Sequence, residues 1–102
     1  MEIIIQSLHF AASPELTQFV TDKVSKLSHL SDKIESANVC LKVDKGESGD
    51  DKLCEIRLSI PGNDLFVKKY GKSYDEAATR AVDALHEQII KMKSKDEHHT
   101  IL

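Results

Sequence analysis

Two hydrophobic periods divide the chain. Residues 2–8, EIIIQSL, form a short β-branched run and predict a strand. Leu16, Phe19, Val20, Leu27 and Leu30 then recur at helical spacing and predict a helix to about residue 30. Its start is marked by Ser13, which can cap, by Pro14, which suits the first helical position, and by Glu15, which complements the positive helix end. ANVCLKVDK alternates, with Ala37, Val39, Leu41 and Val43 on one side and Asn38, Cys40 and Lys42 on the other. GESGDD reads as an acidic turn. KLCEIRLSI alternates again, with Cys54, Ile56, Leu58 and Ile60 opposed to Glu55, Arg57 and Ser59. PGND makes the next turn. LFVKKY is a fourth strand; with Leu65 and Val67 inward, Phe66, Lys68 and Tyr70 face outward. In SYDE, Ser73 and Glu76 form a capping box. Tyr74, Ala78, Ala81, Val82, Leu85, Ile89 and Met92 then mark an apolar stripe to about residue 93.

The order is β-α-β-β-β-α, an α+β class. Each helix has one apolar stripe and each central strand one apolar face. The simplest packing lays both helices on one face of a four-stranded sheet. A helical crossover makes strands one and two parallel neighbours, and hairpins make the rest antiparallel. Cys40 then falls on the open face and Cys54 on the covered face, so the two are not expected to bridge. A single domain is expected over residues 1–95, followed by a loose polar tail, KDEHHTIL, over 96–102.

Composition narrows the class. The chain has 102 residues, 40% hydrophobic and 30% charged, enough for one core and too apolar for a disordered chain. No apolar run approaches the roughly 20 residues that span a bilayer, and the start has no basic flank or cleavage site. A cytoplasmic protein with no membrane partner is the expectation. Two cysteines and five scattered histidines match no metal or disulfide pattern. No nucleophile–base spacing and no glycine-rich phosphate loop appears, so neither an enzyme, a cofactor nor a small-molecule substrate is expected.

The net charge of −3 hides an uneven distribution. Asp44, Glu47, Asp50 and Asp51 crowd the middle turn. Residues 65–95 carry seven cations (Lys68, Lys69, Lys72, Arg80, Lys91, Lys93, Lys95) against four acids (Asp75, Glu76, Asp83, Glu87). At 100° per residue, Arg80, Ala84, Glu87 and Lys91 form one row, with Lys95 near it and Lys93 on the other flank. On the first helix, Lys26 and Lys33 share a flank, and Lys23 falls inside the apolar arc between Phe19 and Leu27. Ordinary chemistry accounts for part of this: lysines complement a helix C-terminus, Glu87 and Lys91 suit an i,i+4 pair, and Lys23 can snorkel. The other reading is a cationic wall shared by both helices and aimed at phosphate. Phe66 and Tyr70 beside Lys68 add side chains able to stack on bases.

With strand order and lysines in place, the chain resembles the ribosome hibernation-promoting factor family, also called ribosome-associated inhibitors or sigma-factor modulation proteins. The likeness covers residues 2 to 95. QFVTDKVSKL matches the first-helix pattern, with Lys23 and Lys26 at its basic positions. DKIESANVCLKVDK matches the helix exit and second strand, with Lys33, Lys42 and Lys45. VDALHEQIIKMKSK matches the final helix through Asp83, Leu85, Gln88, Lys91, Lys93 and Lys95. Ala84 and Glu87 stand where the family favours Lys and Arg.

The resemblance implies a fold like that of double-stranded-RNA-binding domains. It also implies a short-form factor that binds ribosomal RNA in the decoding channel of the small subunit and blocks messenger and transfer RNA, silencing idle ribosomes in stress and stationary phase. Lys23, Lys26, Lys33, Lys42, Lys68, Lys69, Arg80, Lys91, Lys93 and Lys95 are the expected RNA-binding residues, and a ribosome-dimerising protein is an admissible further partner. Two alternatives compete. A stand-alone duplex-RNA module would want a lysine cluster where the final helix begins, yet KSYDEAAT offers Lys72 and then two acids. A protein-interaction or oligomerisation domain would use a sheet edge with Ile4 and Phe66 exposed.

Overall fold

The structure, a computed structural model, describes residues 1–45 and 49–101, and for residues 95–101 it describes the backbone. The elements are β1 (Glu2–Ser7), α1 (Pro14–Ser25), a 3-10 turn (Lys26–His29), β2 (Ser36–Val43), β3 (Lys52–Ser59), β4 (Leu65–Gly71) and α2 (Tyr74–Ile101). The sheet order is β1-β2-β3-β4. β1 and β2 are parallel, with Ile4 beside Asn38. β2–β3 and β3–β4 are antiparallel, with Asn38 opposite Arg57 and Arg57 opposite Phe66.

Both helices start where the local signals place them. The Ser13 hydroxyl accepts from the Leu16 N–H at 3.1 Å, and Pro14 occupies the first turn. Ser73 accepts from the Glu76 N–H at 3.1 Å, while the Glu76 carboxylate accepts from the Lys72 N–H at 3.0 Å. That reciprocal pair differs from the ideal capping box only in reaching one residue further back. The Ile60–Asn63 turn closes through the Asn63 N–H and Ile60 carbonyl at 3.0 Å, with Gly62 at φ +81°. Pro then Gly at its centre is what a type II turn requires.

The helix ends depart from expectation. α1 proper stops at Ser25, and its last turn tightens into the 3-10 segment. Ser25 and Ser28 hydroxyls donate to the carbonyls of Asp22 and Ser25, at 2.9 and 2.7 Å, and compete for the acceptors an α-helix would use. α2 continues past residue 93 to Ile101, through the segment expected as a tail. That stretch contains no glycine or proline to stop it. Among the described residues no helix is long and apolar enough to cross a membrane.

The core lies between helices and sheet. Ala37, Val39 and Leu41, then Cys54, Ile56, Leu58 and Ile60, and Val67 all face Val20, Val24 and Leu27 of the α1 segment and Ala81, Leu85 and Ile89 of α2. Each large side chain so buried contributes about 1.5–3 kcal/mol relative to exposure. Gly71 is required where β4 turns into α2: a Cβ there would lie 2.7 Å from the Ala77 nitrogen. Two strand residues break the alternation. Val43 has the inward parity but is 58% exposed, at the end of β2 and two residues past Leu41, the last residue paired with β1. Leu53 has the outward parity yet is fully buried, in the row between Lys42 and Tyr70.

Strand directions decide which ends meet. α1 returns from β1 and α2 returns from β4, and these two strands point the same way. The helices therefore run side by side in one direction, and the exit of α1 reaches α2 well beyond its middle.

Candidate nucleic-acid interface

At this shared end the two helices bring lysines together. Lys93 Nζ donates to the Leu30 carbonyl at 2.6 Å, across 63 positions of sequence. Lys33 and Lys93 line one cleft, and Lys26 is exposed on the 3-10 turn beside it. Lys23 is half-buried, with its ammonium 5.6 Å from the centre of the Phe19 ring. Its stem packs within the apolar arc while the charge stays out, stabilised by the ring quadrupole. Lys91 is exposed on the other flank of α2, beside Asn63 and Leu65. Among the described residues, none of Lys23, Lys26, Lys33, Lys91 and Lys93 is ion-paired. Glu87 and Lys91, expected as an i,i+4 pair, form none; both are exposed, where water screens the attraction.

The remaining expected site residues do not join this group. Arg80 Nη1 donates to Asp50 at 3.3 Å and to the Tyr70 carbonyl at 2.8 Å, and Nη2 reaches Glu76 at 3.3 Å. It straps the β2–β3 turn and β4 to the first turns of α2, about 20 Å along the helix from Lys93. The row that it forms with Lys91 on a helical wheel is real, but the acids of the middle turn neutralise its upper end. Lys42 lies on the open sheet face, 3.5 Å from Glu55. Lys68 shares that face, directly across from Glu55, with its ammonium 5.9 Å from the Tyr70 ring. Lys69 points the opposite way, in the row of Cys54, and is exposed because β4 is a sheet edge. The Lys95 side chain lies outside the described residues.

One row crosses the open face from edge to edge: Ile4, Asn38, Arg57 and Phe66. The Arg57 guanidinium stacks 5.1 Å from the Phe66 ring centre. Ile4 and Phe66 are 48% and 46% exposed, so this face carries apolar surface at both edges. Arg57 was absent from the expected site residues. The length of the PGND turn, which sets the β3–β4 register, was the signal that could have found it. Tyr70 donates to Asp44 at 3.0 Å and so closes the same face toward the acidic turn. Residues 46–48 of that turn, Glu47 among them, lie outside the described residues.

The cysteines belong to the packing. Burial pushes the Cys54 thiol up to about 12, and burial with the nearby Glu55 carboxylate raises Cys40. Raised thiols hold little thiolate at neutral pH, which suits inert side chains on opposite faces of the sheet.

Comparison with known proteins agrees with this architecture. The family described as sigma 54 modulation protein / S30EA ribosomal protein matches residues 3–97. A ribosome hibernation promoting factor from Klebsiella oxytoca is 27% identical over 99 residues, covering 97% of this chain and 100% of the relative. The protein of the same name from Escherichia coli (strain K12) is 28% identical over the same coverage. Among solved structures, a ribosomal subunit interface protein from Coxiella burnetii superposes with a TM-score of 0.81 at 17% identity, over 92% of this chain and 99% of that one. The N-terminal domain of Thermus thermophilus Protein Y gives 0.77 at 24% identity, over 90% and 99%. At those identities the two structures speak for the fold alone.

Proposed function

The chain belongs to the sigma 54 modulation protein / S30EA ribosomal protein family, and from that premise we propose that it is a ribosome-associated hibernation factor that works by binding and not by catalysis. Its relatives' names support ribosome association, and their matched lengths leave almost none of this chain unaccounted for.

The finer reading is that the helix-end lysines grip ribosomal RNA phosphates in the decoding channel of the small subunit. The body of the domain then excludes messenger and transfer RNA by volume. One observation carries it: in a chain of net charge −3, Lys33 from the turn after α1 and Lys93 from α2 line one cleft, Lys26 is exposed beside it, and none of the three is ion-paired among the described residues. The site so drawn keeps Lys23, Lys26, Lys33, Lys91 and Lys93 and omits Arg80. Lys68 and the Arg57–Phe66 pair on the opposite face suit an enclosing channel better than one flat duplex. The stand-alone duplex-RNA reading is weakened by the α2 entrance, where Asp75 and Glu76 follow Lys72 and the nearest arginine is already paired.

The test is co-sedimentation with small subunits across salt. About five neutralised phosphates give a slope of log affinity against log salt of roughly −3.5 to −4.5. Reversing two charges in Lys26→Glu with Lys33→Glu is expected to weaken association by about a hundredfold or more, since charge-assisted contacts are worth about 1.5–3 kcal/mol each. A double variant that sediments like the parent, at an unchanged slope, defeats the charge-led mechanism.

A further inference from the structure

Between the exit of α1 and the side of α2 lies a cleft of about 490 Å³, lined on one side by residues 28–33 and on the other by Met92 and Lys93. This volume is in the usual range for small-molecule sites. We propose that the cleft is a subsite for one nucleotide, with its phosphate between the Lys33 and Lys93 ammonium groups and its base against Leu30 and Met92.

The polar groups are arranged for that chemistry. Lys93 uses one ammonium hydrogen on the Leu30 carbonyl, which fixes the head at the cleft wall and leaves two hydrogens to donate. The Ser31 oxygen already accepts from the Lys33 N–H at 3.2 Å, so its own proton can go to a phosphate oxygen. Ser28 spends its proton on the Ser25 carbonyl at 2.7 Å, so toward a ligand it can only accept. Asp32 is the second acceptor. Donors for an anion therefore come from Lys33, Lys93 and Ser31, acceptors for amino, imino or hydroxyl hydrogens from Ser28 and Asp32, and the His29 ring, which also lines the cleft, can serve on either side. A bare anion would find the Asp32 carboxylate repulsive and the Leu30 and Met92 surfaces idle. A nucleotide uses all of them, and guanine, with adjacent N1–H and N2–H donors, matches a carboxylate best.

The nucleotide can be an unstacked residue of an RNA or a free mononucleotide; only the first source rests on the ribosomal reading above. The experiment is a titration of the full chain, followed by backbone amide NMR shifts, with guanosine 5′-monophosphate, a short unstructured guanosine-containing oligoribonucleotide, and inorganic phosphate. Saturable shifts centred on residues 28–33 and 92–93 are expected with the first two ligands, and binding at least about tenfold weaker with phosphate alone, given the apolar contacts it forgoes. Lys33→Ala is expected to lose about tenfold or more, and the charge-preserving Ser31→Ala about two- to tenfold. Tighter binding by the oligoribonucleotide assigns the site to RNA; equal or tighter binding by the mononucleotide assigns it to the free ligand.

Absence of saturable shifts, shifts centred elsewhere, phosphate binding as tight as the nucleotide, or indifference to both variants overturns the proposal. Parent protein that co-sediments with ribosomes but shows no nucleotide shifts removes the cleft and leaves the ribosomal reading intact. Nucleotide binding by a parent that does not co-sediment does the reverse.

Discussion

The two ends of α2 use cations in opposite ways. At the entrance, Arg80 is held by Asp50, Glu76 and the Tyr70 carbonyl, and Gly71 lets the strand turn within reach of the Ala77 backbone. At the far end, Lys93 makes one bond to a neutral carbonyl, and Lys33 beside it has no carboxylate partner among the described residues. Residue type does not separate these roles, because both are long cationic side chains flanking the same apolar stripe. The neighbours do. The acidic middle turn lies at the top of the sheet, where α2 begins, and its carboxylates consume the charge there. The bottom, where the exit of α1 meets the far half of α2 at Lys93, lies about 20 Å along the helix from Arg80. Free charge thus survives at the cleft of an acidic protein because no carboxylate there pairs with Lys33 or Lys93 among the described residues, although Asp32 lines the same cleft.

That contrast can be broken from either side. The largest effect on stability is expected from Gly71→Ala, which forces a Cβ to 2.7 Å from a backbone nitrogen. Overpacking of this kind costs about 1–3 kcal/mol, read as a lowered urea midpoint at unchanged m-value. Below its unfolding temperature the variant should still co-sediment with ribosomes, and a large loss of binding there would mean that the entrance takes part in recognition. Arg80→Ala is next. Its ion pairs are half-exposed and so worth at most about 1 kcal/mol, and the bond to the Tyr70 carbonyl adds a similar amount. A stability loss of about 1–2 kcal/mol is expected, with ribosome association changed less than about threefold. If instead association falls as steeply as in the Lys26 and Lys33 reversals, Arg80 belongs to the binding surface after all. Smallest is Glu87→Lys, which adds a cation beside Lys91 on the binding half of the helix. Association should strengthen by about two- to fivefold at low salt, as expected for one exposed charge, and the gain should vanish at high salt. An equal gain at all salt concentrations would point to a contact other than charge.

The open and covered faces of the sheet repeat the lesson in packing. On the covered face, alternation alone identified Ala37, Val39, Leu41, Cys54, Ile56 and Leu58, all of which are buried. On the open face it could not identify Leu53, whose burial depends on neighbours in two other strands, Lys42 and Tyr70. Nor could it pair Arg57 with Phe66, which needs the hairpin register.

Element order, the inward faces of β2, β3 and β4, the apolar stripes and both helix starts were determined by the sequence alone. Each depends on residues within a few positions of one another, through pleat alternation, helical periodicity and caps that reach three residues. Tertiary structure decided which cations are free. Arg80 meets Asp50 across 30 positions and Lys93 meets Leu30 across 63. Coulomb attraction and hydrogen bonding act over a few ångströms of space, whatever the distance along the chain. Only the parallel course of the two helices and the placing of the acidic turn at their opposite end brought those groups within, or kept them out of, that reach.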